Sequence, residues 1–346
     1  MNSQPIKVFI VDDSKLMRQA VRRICEDNCL EVVGEAENGV EALELLETLD
    51  PNVIILDVNM PVMDGLTTLK HMMIKKPTPT IMLSTLTREG AAVTFDSFKY
   101  GAVDFVTKPS SLDGGDLGEQ SMELVRKVRA ASEVKLEKMR YIRVKSQGDK
   151  PKDQTGNTPG RIVAIGAAEG GYGTLLKLIP ELPADLPVAY FIVLHVAKDH
   201  IDAFVDYLGQ YSSVLIERAV EDKPVQSGTC YLCSGDEYTT IREENSCLFF
   251  HVSPAPFATR RGAIDMLMFS VAEHAGHKSI GVILSGSDSD GAEGLCELVA
   301  TGGKTIVQKP SSCLYRKMPE TALERCKAGF IVSDTSIANA ISLCCA

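Results

Sequence analysis

Lys7-Val8-Phe9-Ile10-Val11-Asp12-Asp13-Ser14 decides the fold, together with a second run, Val53-Ile54-Ile55-Leu56-Asp57. Each is an apolar run of strand length that ends in acid. An unbroken apolar run of this kind suits a strand buried on both faces of a parallel sheet. If the two runs are adjacent parallel strands, Asp12, Asp13 and Asp57 converge at one sheet edge. Carboxylates that close repel one another, so the cluster needs a divalent cation or a raised pKa to persist. A site that gathers carboxylates around a metal can also accept a phosphoryl group. The first part of the chain therefore reads as a phosphorylation-controlled switch, and the rest as what it controls.

Working outward, further strand candidates are Glu31-Val32-Val33-Gly34-Glu35-Ala36, then residues 80–84 and 104–107. Amphipathic stretches lie between them, with Leu16, Ala20, Val21 and Ile24 on one face of the first and Val40, Leu43 and Leu46 on one face of the next. This alternation predicts a flavodoxin-like five-stranded parallel sheet. In that order the first and third strands are neighbours, and ligands bind beyond their C-terminal ends. Ser84 ends the fourth strand and offers a hydroxyl to a phosphoryl oxygen. Lys108 follows the fifth and places an ammonium beside the acids, and a cis bond to Pro109 would fix its approach.

These residues resemble the receiver domain of two-component response regulators, which carries paired acids, a phospho-accepting aspartate, Ser/Thr and Lys-Pro at these places. Met60-Pro61-Val62-Met63-Asp64-Gly65 matches as well. The resemblance covers about the first 125 residues. It implies that Asp57 takes a phosphoryl group from a phosphohistidine on a kinase. It also implies Mg²⁺ held by Asp13, Asp57 and the backbone carbonyl of Asn59, with Asp12 acting through water. Ser84 and Phe105 would then shift toward the phosphoryl group, with Lys108 beside it.

The 346 residues suffice for two domains with cores of their own, and the net charge of −10 argues against broad binding to nucleic acid or an anionic membrane. No charged leader precedes an apolar signal core, and no apolar run approaches the length of a membrane span. The sequence reads as a soluble cytoplasmic protein. Ten cysteines lie scattered, mostly in apolar segments, as reduced core residues would. Cys230 and Cys233 have metal-ligand spacing, but in a strand their side chains point to opposite faces, so zinc is not expected there.

From about Ser132 to Arg161 the periodicity fails, and a polar run through Gly148, Lys150, Pro151, Gly156 and Gly160 reads as a linker. The expected division is a receiver over residues 1–125, a linker over 126–160 and a second doubly wound α/β domain over 161–346. That domain opens with a strand ending at Ala167 and a glycine-rich turn, Ala168-Glu169-Gly170-Gly171-Tyr172-Gly173, before a helix around Thr174–Ile179. A strand then ends in Leu194-His195. A helix follows Asp199, a β-rich stretch runs from Cys230 to Val252, and a further helix is expected from Asp265 to Ala275. Ser279–Leu284 leads into Ser285-Gly286-Ser287-Asp288-Ser289-Asp290-Gly291-Ala292, a second polar strand-to-helix turn.

The second domain resembles the output domain of the chemotaxis response regulator protein-glutamate methylesterase (CheB) family. Ile165-Gly166-Ala167-Ala168-Glu169-Gly170-Gly171 matches that family's I-G-A-S-T-G-G, Leu194-His195-Val196 its Q-H-M and Ser289-Asp290-Gly291-Ala292 its S-D-G-A. Ser312-Cys313 through Met318-Pro319 matches its S-C…M-P. The family's serine, histidine and aspartate remove methyl esters from receptor glutamates and deamidate glutamine. Here the nucleophile position is Ala168, whose methyl group cannot attack a carbonyl. His195 and Asp290 remain as base and orienting partner with no hydroxyl to activate. Loss of the serine of a triad costs about a million-fold in rate. Glu169 replaces a threonine and sets negative charge where an oxyanion must form. Ser287 replaces methionine, and Thr259-Arg260-Arg261-Gly262 replaces R-H-R-P.

The leading expectation is a chemotaxis-type regulator, phosphorylated on Asp57, whose output domain is catalytically impaired and acts by phosphorylation-controlled docking with a chemoreceptor, kinase or other chemotaxis protein. The alternative is an active methylesterase and glutamine deamidase with an unusual nucleophile, or with Ala168 an engineered change. A structural adaptor with an inert receiver is a third reading.

Overall fold

The computed structural model of the chain describes residues 5–84, 88–108, 117–134, 136, 158–255 and 262–345. Pro109, residues 259–261 and most of the expected linker lie outside these. Two compact units divide the chain, one on each side of residue 143.

The first unit alternates strand and helix: β1 (Lys7–Val11), α1 (Lys15–Asp27), β2 (Glu31–Ala36), α2 (Gly39–Leu46), β3 (Val53–Asp57), α3 (Gly65–Lys75), β4 (Thr80–Ser84), α4 (Arg88–Lys99), β5 (Ala102–Thr107) and α5 (Leu117–Ser132). The strands pair in parallel in the order β2-β1-β3-β4-β5, the flavodoxin-like arrangement. Strand β5 starts two residues earlier than the sequence reading places it. Strands β3 and β4 are buried along their whole length, which is why they read as unbroken apolar runs. Val8, Ile10, Val53, Ile55, Ile81 and Leu83 form one core with Val21 and Cys25 of α1 and Leu124 and Val128 of α5. Helix α1 starts at Ser14, whose hydroxyl accepts from Met17 N, and α3 starts at Asp64, whose carboxylate accepts from Thr67 N. Gly65 is required by close approach, since a Cβ there would lie 2.0 Å from the Asp57 carbonyl oxygen.

The second unit runs β6 (Arg161–Ala167), α6 (Gly171–Leu178), β7 (Val188–Leu194), α7 (Lys198–Leu208), β8 (Leu215–Arg218), β9 (Thr229–Ser234), β10 (Glu237–Glu244), β11 (Cys247–Pro254), α8 (Ala263–Ala275), β12 (Ser279–Ile283), α9 (Ala292–Ala300), β13 (Lys304–Gln308), α10 (Lys317–Arg325), β14 (Phe330–Val332) and α11 (Ile337–Cys345). Seven parallel strands lie in the order β14-β13-β12-β6-β7-β9-β8, and β10 pairs with β11 as an antiparallel hairpin. The chain leaves β6 toward β7 on one side and later returns to β12 on the other. The C-terminal ends of β6, β7 and β12 therefore frame a switch point.

Helix α6 begins three residues before the expected Thr174. Gly170 takes a φ of +74°, which lets Gly171 N bond the Ala168 carbonyl at 2.9 Å and start the helix there. Helix α8 likewise begins at Ala263 rather than Asp265. Phe250 of the hairpin packs edge-on against Phe191 and Tyr231 of the sheet, with centroids 5.0 and 4.8 Å away. Truncating this fully buried ring would cost about 3–5 kcal/mol. Cys230 and Cys233 are both buried in the sheet, and burial pushes both thiols up in pKa.

Candidate functional site

The parallel register of β1 with β3 sets Val11 beside Leu56, so Asp12 and Asp13 leave one strand next to the Asp57 end of the other. The three carboxylates offer ligand oxygens within 4.8 Å of one another, with Asp12 and Asp57 buried and Asp13 exposed. Lys108 Nζ reaches Asp12 Oδ2 at 2.9 Å and Asp57 Oδ2 at 2.7 Å. Ser14 N donates to Asp12 Oδ1 at 2.8 Å, and Asn59 N donates to Asp57 Oδ1 at 3.3 Å.

Burial raises the Asp57 pKa, and Lys108 offsets this only in part. Lys108 is also raised: burial works against its charge, but bonds to Asp57 and Asp12 outweigh it. The two shifts share a cause. Several anions compete for one ammonium, so the cation gains more than any single carboxylate. An all-oxygen donor set with an uncompensated negative charge suits a hard divalent ion such as Mg²⁺.

Ser84 and Phe105, the expected switch residues, are buried, the first at the end of β4 and the second within β5. Thr94 Oγ1 donates to Ser84 Oγ at 2.7 Å, and Phe105 meets Phe98 edge-on. Sequence reasoning missed Arg18. Its Nη1 donates to the carbonyls of Asp12 and Asp13 at 2.8 and 3.2 Å, and its guanidinium pairs with Glu35 and Glu37. The only available signal was an arginine in the second turn of α1.

In the second unit, β6 delivers Ala168, β7 delivers His195 and β12 delivers residues 285–290. The turn at Ala168 keeps its backbone bonds: Ala168 N donates to Ser285 O at 2.9 Å, and His195 N to Ala167 O at 3.0 Å. The methyl of Ala168 is buried. His195 Nε2 lies 2.8 Å from Asp290 Oδ2, as the sequence led us to expect. Its Nδ1 lies 2.9 Å from Asp288 Oδ2, a partner that sequence reasoning did not find. The signal was there in principle, as two aspartates two residues apart on one turn.

Burial works against charge on His195, but the two carboxylates overcome it and raise its pKa to about 9. The ring is therefore an imidazolium near neutral pH, with both N–H groups committed. Asp290 is lowered: burial opposes its charge and His195 more than offsets this. Its oxygens also accept from Ile264 N and Asp265 N at 3.0 Å each, so it caps α8 while holding the ring. Asp265, buried beside Asp290, is raised to about 6.

Three nearby hydroxyls, those of Ser285, Ser287 and Thr174, have partners of their own. Ser285 Oγ donates toward the carbonyls of Glu169 and Tyr315 and accepts from Tyr315 N. Ser287 Oγ donates to the Glu169 carboxylate, and Thr174 Oγ1 accepts from Gln308 Nε2 at 3.5 Å. None of them bonds the imidazole.

Family models match both units: the CheB methylesterase model covers residues 163–341, and the response regulator receiver domain model covers residues 8–115. The chain belongs to the CheB methylesterase family. A CheB relative from Archaeoglobus fulgidus, named protein-glutamate methylesterase/protein-glutamine glutaminase, is 38% identical over 324 residues, covering 92% of each chain. One of the same name from Geobacillus kaustophilus is 37% identical over 341 residues, covering 97% of each. The crystal structure of the Thermotoga maritima CheB methylesterase catalytic domain aligns with a TM-score of 0.51 and 27% identity, over 54% of this chain and 100% of that one. This CheB-family chain is a chemotaxis response regulator with a receiver and a methylesterase-type domain. Among the described residues, no helix is long and apolar enough to cross a membrane.

Proposed function

We propose that the chain is a phosphorylation-controlled docking protein of chemotaxis signalling whose methylesterase-type domain does not hydrolyse esters. One observation carries this reading: both ring nitrogens of His195 bond carboxylates, beside an elbow that presents Ala168. A general base must have a free nitrogen and a pKa near the working pH. His195 has neither. A triad keeps one nitrogen for the nucleophile and one for the orienting acid. Here Asp288 takes the nitrogen that a hydroxyl would need. The domains are taken as residues 1–125, 126–160 and 161–346, with the last turns of α5 reaching into the linker.

In the receiver, an Asp57 oxygen attacks the phosphorus of a kinase phosphohistidine. The new O–P bond forms as the N–P bond breaks, leaving an acyl phosphate and a neutral imidazole on the kinase after proton uptake. Lys108, 2.7 Å from Asp57, neutralises charge on the transferring group, and Ser84 bonds one of its oxygens. Mg²⁺ held by Asp13, Asp57 and the Asn59 carbonyl, with Asp12 acting through water, would supply charge stabilisation for the transfer. The shift of Ser84 and Phe105 then controls how the output domain docks with a chemoreceptor or another chemotaxis protein in the cytoplasm. No nucleic acid and no membrane insertion enter this scheme.

The relatives' names support a second reading, an active methylesterase and glutamine deamidase. Methanol release from a glutamate-methylated receptor separates the two. The purified chain is expected to release none above background, with or without a phosphodonor, while still binding the receptor. Turnover at the rate of a serine-bearing relative would reject the docking reading.

A further inference from the structure

Cys296 and Cys326 meet where α9 packs against α10. Cys296 lies midway along α9, and Cys326 caps the C-terminus of α10. Their thiols are hydrogen-bonded to each other, both residues are partly buried, and neither is in a disulfide. Cys326 Sγ also donates to the Ala322 carbonyl at 3.3 Å, which commits its proton to α10 and leaves its lone pairs for Cys296. One turn before Cys296, Glu293 pairs with Arg325, the neighbour of Cys326, so an ion pair sits beside the thiols. Burial first, and then the Cys296 sulfur, push the Cys326 thiol up to about 12, and it keeps its proton near neutral pH. Thiols sealed in the sheet, such as that of Cys230, are shielded from solutes, whereas these two keep a side open to solvent.

We propose that Cys296 and Cys326 are a redox-sensitive dithiol that hydrogen peroxide closes into a disulfide, clamping α9 to α10. Cys296, as thiolate, is the sulfur that attacks. An S–O bond forms as the peroxide O–O bond breaks, giving a sulfenic acid, and the departing hydroxide takes up the proton that Cys296 released. The Cys326 sulfur then attacks the Cys296 sulfur. The S–S bond forms as the S–O bond breaks, and the Cys326 proton leaves with that hydroxyl as water. Two thiols give up two electrons and two hydrogens, and one peroxide becomes two waters. Both helices start on the turn that holds His195. Helix α9 begins at Ala292, two residues after Asp290, and Met318 N at the start of α10 donates to Gly286 O at 3.0 Å. The bridge therefore fixes the spacing of the two helices that flank residues 286–290. It also closes a loop through β13, which restricts the unfolded chain.

To test this, the reduced full chain is treated with hydrogen peroxide at a dose that oxidises the exposed Cys29 and Cys247, then blocked with N-ethylmaleimide and digested for mass spectrometry. Calorimetry follows the melting of the same samples. The expected product is a peptide pair joined through Cys296 and Cys326, two hydrogens lighter than the reduced peptides and restored by dithiothreitol. The output unit is expected to melt about 5 °C or more higher once bridged. Cys296→Ser and Cys326→Ser should each lose both the link and the rise. Cys296 and Cys326 still open to maleimide at that dose overturn the proposal. So does either of them joined chiefly to another cysteine, or a sulfinic acid on Cys296 in place of the link. A link that leaves the melting temperature unchanged overturns the clamp, as does a rise that persists in either serine variant. The wild-type products decide the link by themselves, so a serine variant that folds poorly leaves the test intact.

Discussion

At the ends of β1 and β3, the carboxylates of Asp12, Asp13 and Asp57 stand around the single ammonium of Lys108, whereas at the ends of β7 and β12 one imidazole stands between the carboxylates of Asp288 and Asp290. Both sites lie at switch points of parallel sheets, and both pair buried acids with one nitrogen base. They differ in how the charge is shared. The first has more anion than its cation can satisfy, a charge balance that suits a divalent ion. In the second, each ring N–H has its own carboxylate, and neither nitrogen is left to take a proton. The position of one side chain, Asp288, thus gives the ring a second carboxylate and leaves the two sites with different charge balances.

The largest expected effect is at the first site. Asp57→Asn should abolish phosphoryl uptake from acetyl phosphate, read as loss of the mass shift of the acyl phosphate. Retained uptake would move the acceptor to another side chain.

The next effect is at the second site. Ala168→Ser alone should stay near background in methanol release, because His195 remains doubly bonded. Ala168→Ser with Asp288→Gly should exceed the single variant by about a hundredfold or more, the usual contribution of a general base. Equal rates would show that Asp288 does not silence the ring.

Smaller effects separate the two units by stability. Mg²⁺ should stabilise the receiver by about 2.7 kcal/mol at a hundredfold excess over Kd and leave the other unit unchanged, and Asp13→Ala should blunt the gain. Two-transition calorimetry reads both. The last effect is one of pH. His195 has a folded pKa of about 9 against an ordinary 6.5, so its clamp stabilises fully below 6.5 and the contribution fades as pH rises through about 9. The melting temperature of the output unit should fall over that window, and Asp288→Asn should move the loss to lower pH. A flat profile in wild type would mean that the ring is neutral.

Much of both sites is legible in the chain because acids and a histidine end apolar runs, and in parallel sheets those ends are where ligands meet. Asp12, Asp13, Asp57, Lys108 and His195 declare themselves in this way, and Asp290 through its match to the family's S-D-G-A. Asp288, Arg18 and Thr94 do not. Each sits on a helix or within a polar turn, where hydrophilic residues are ordinary, and each acts through a partner on another element of the fold. Helix boundaries slip for a related reason: the start of α6 depends on the positive φ of Gly170, which leaves no periodic signal.

The sequence by itself determined that the chain has two parallel α/β units, that three aspartates and a lysine gather at strand ends in the first and that the second carries alanine at residue 168. These follow from residue identity and strand periodicity, which are local properties. Only the tertiary structure decided that His195 lies between two carboxylates and that α4 holds both Ser84 and Phe105. Hydrogen-bond partnership depends on distances of a few tenths of an ångström between segments about 90 or more residues apart for the ring, and on which face of α4 meets the sheet for the switch.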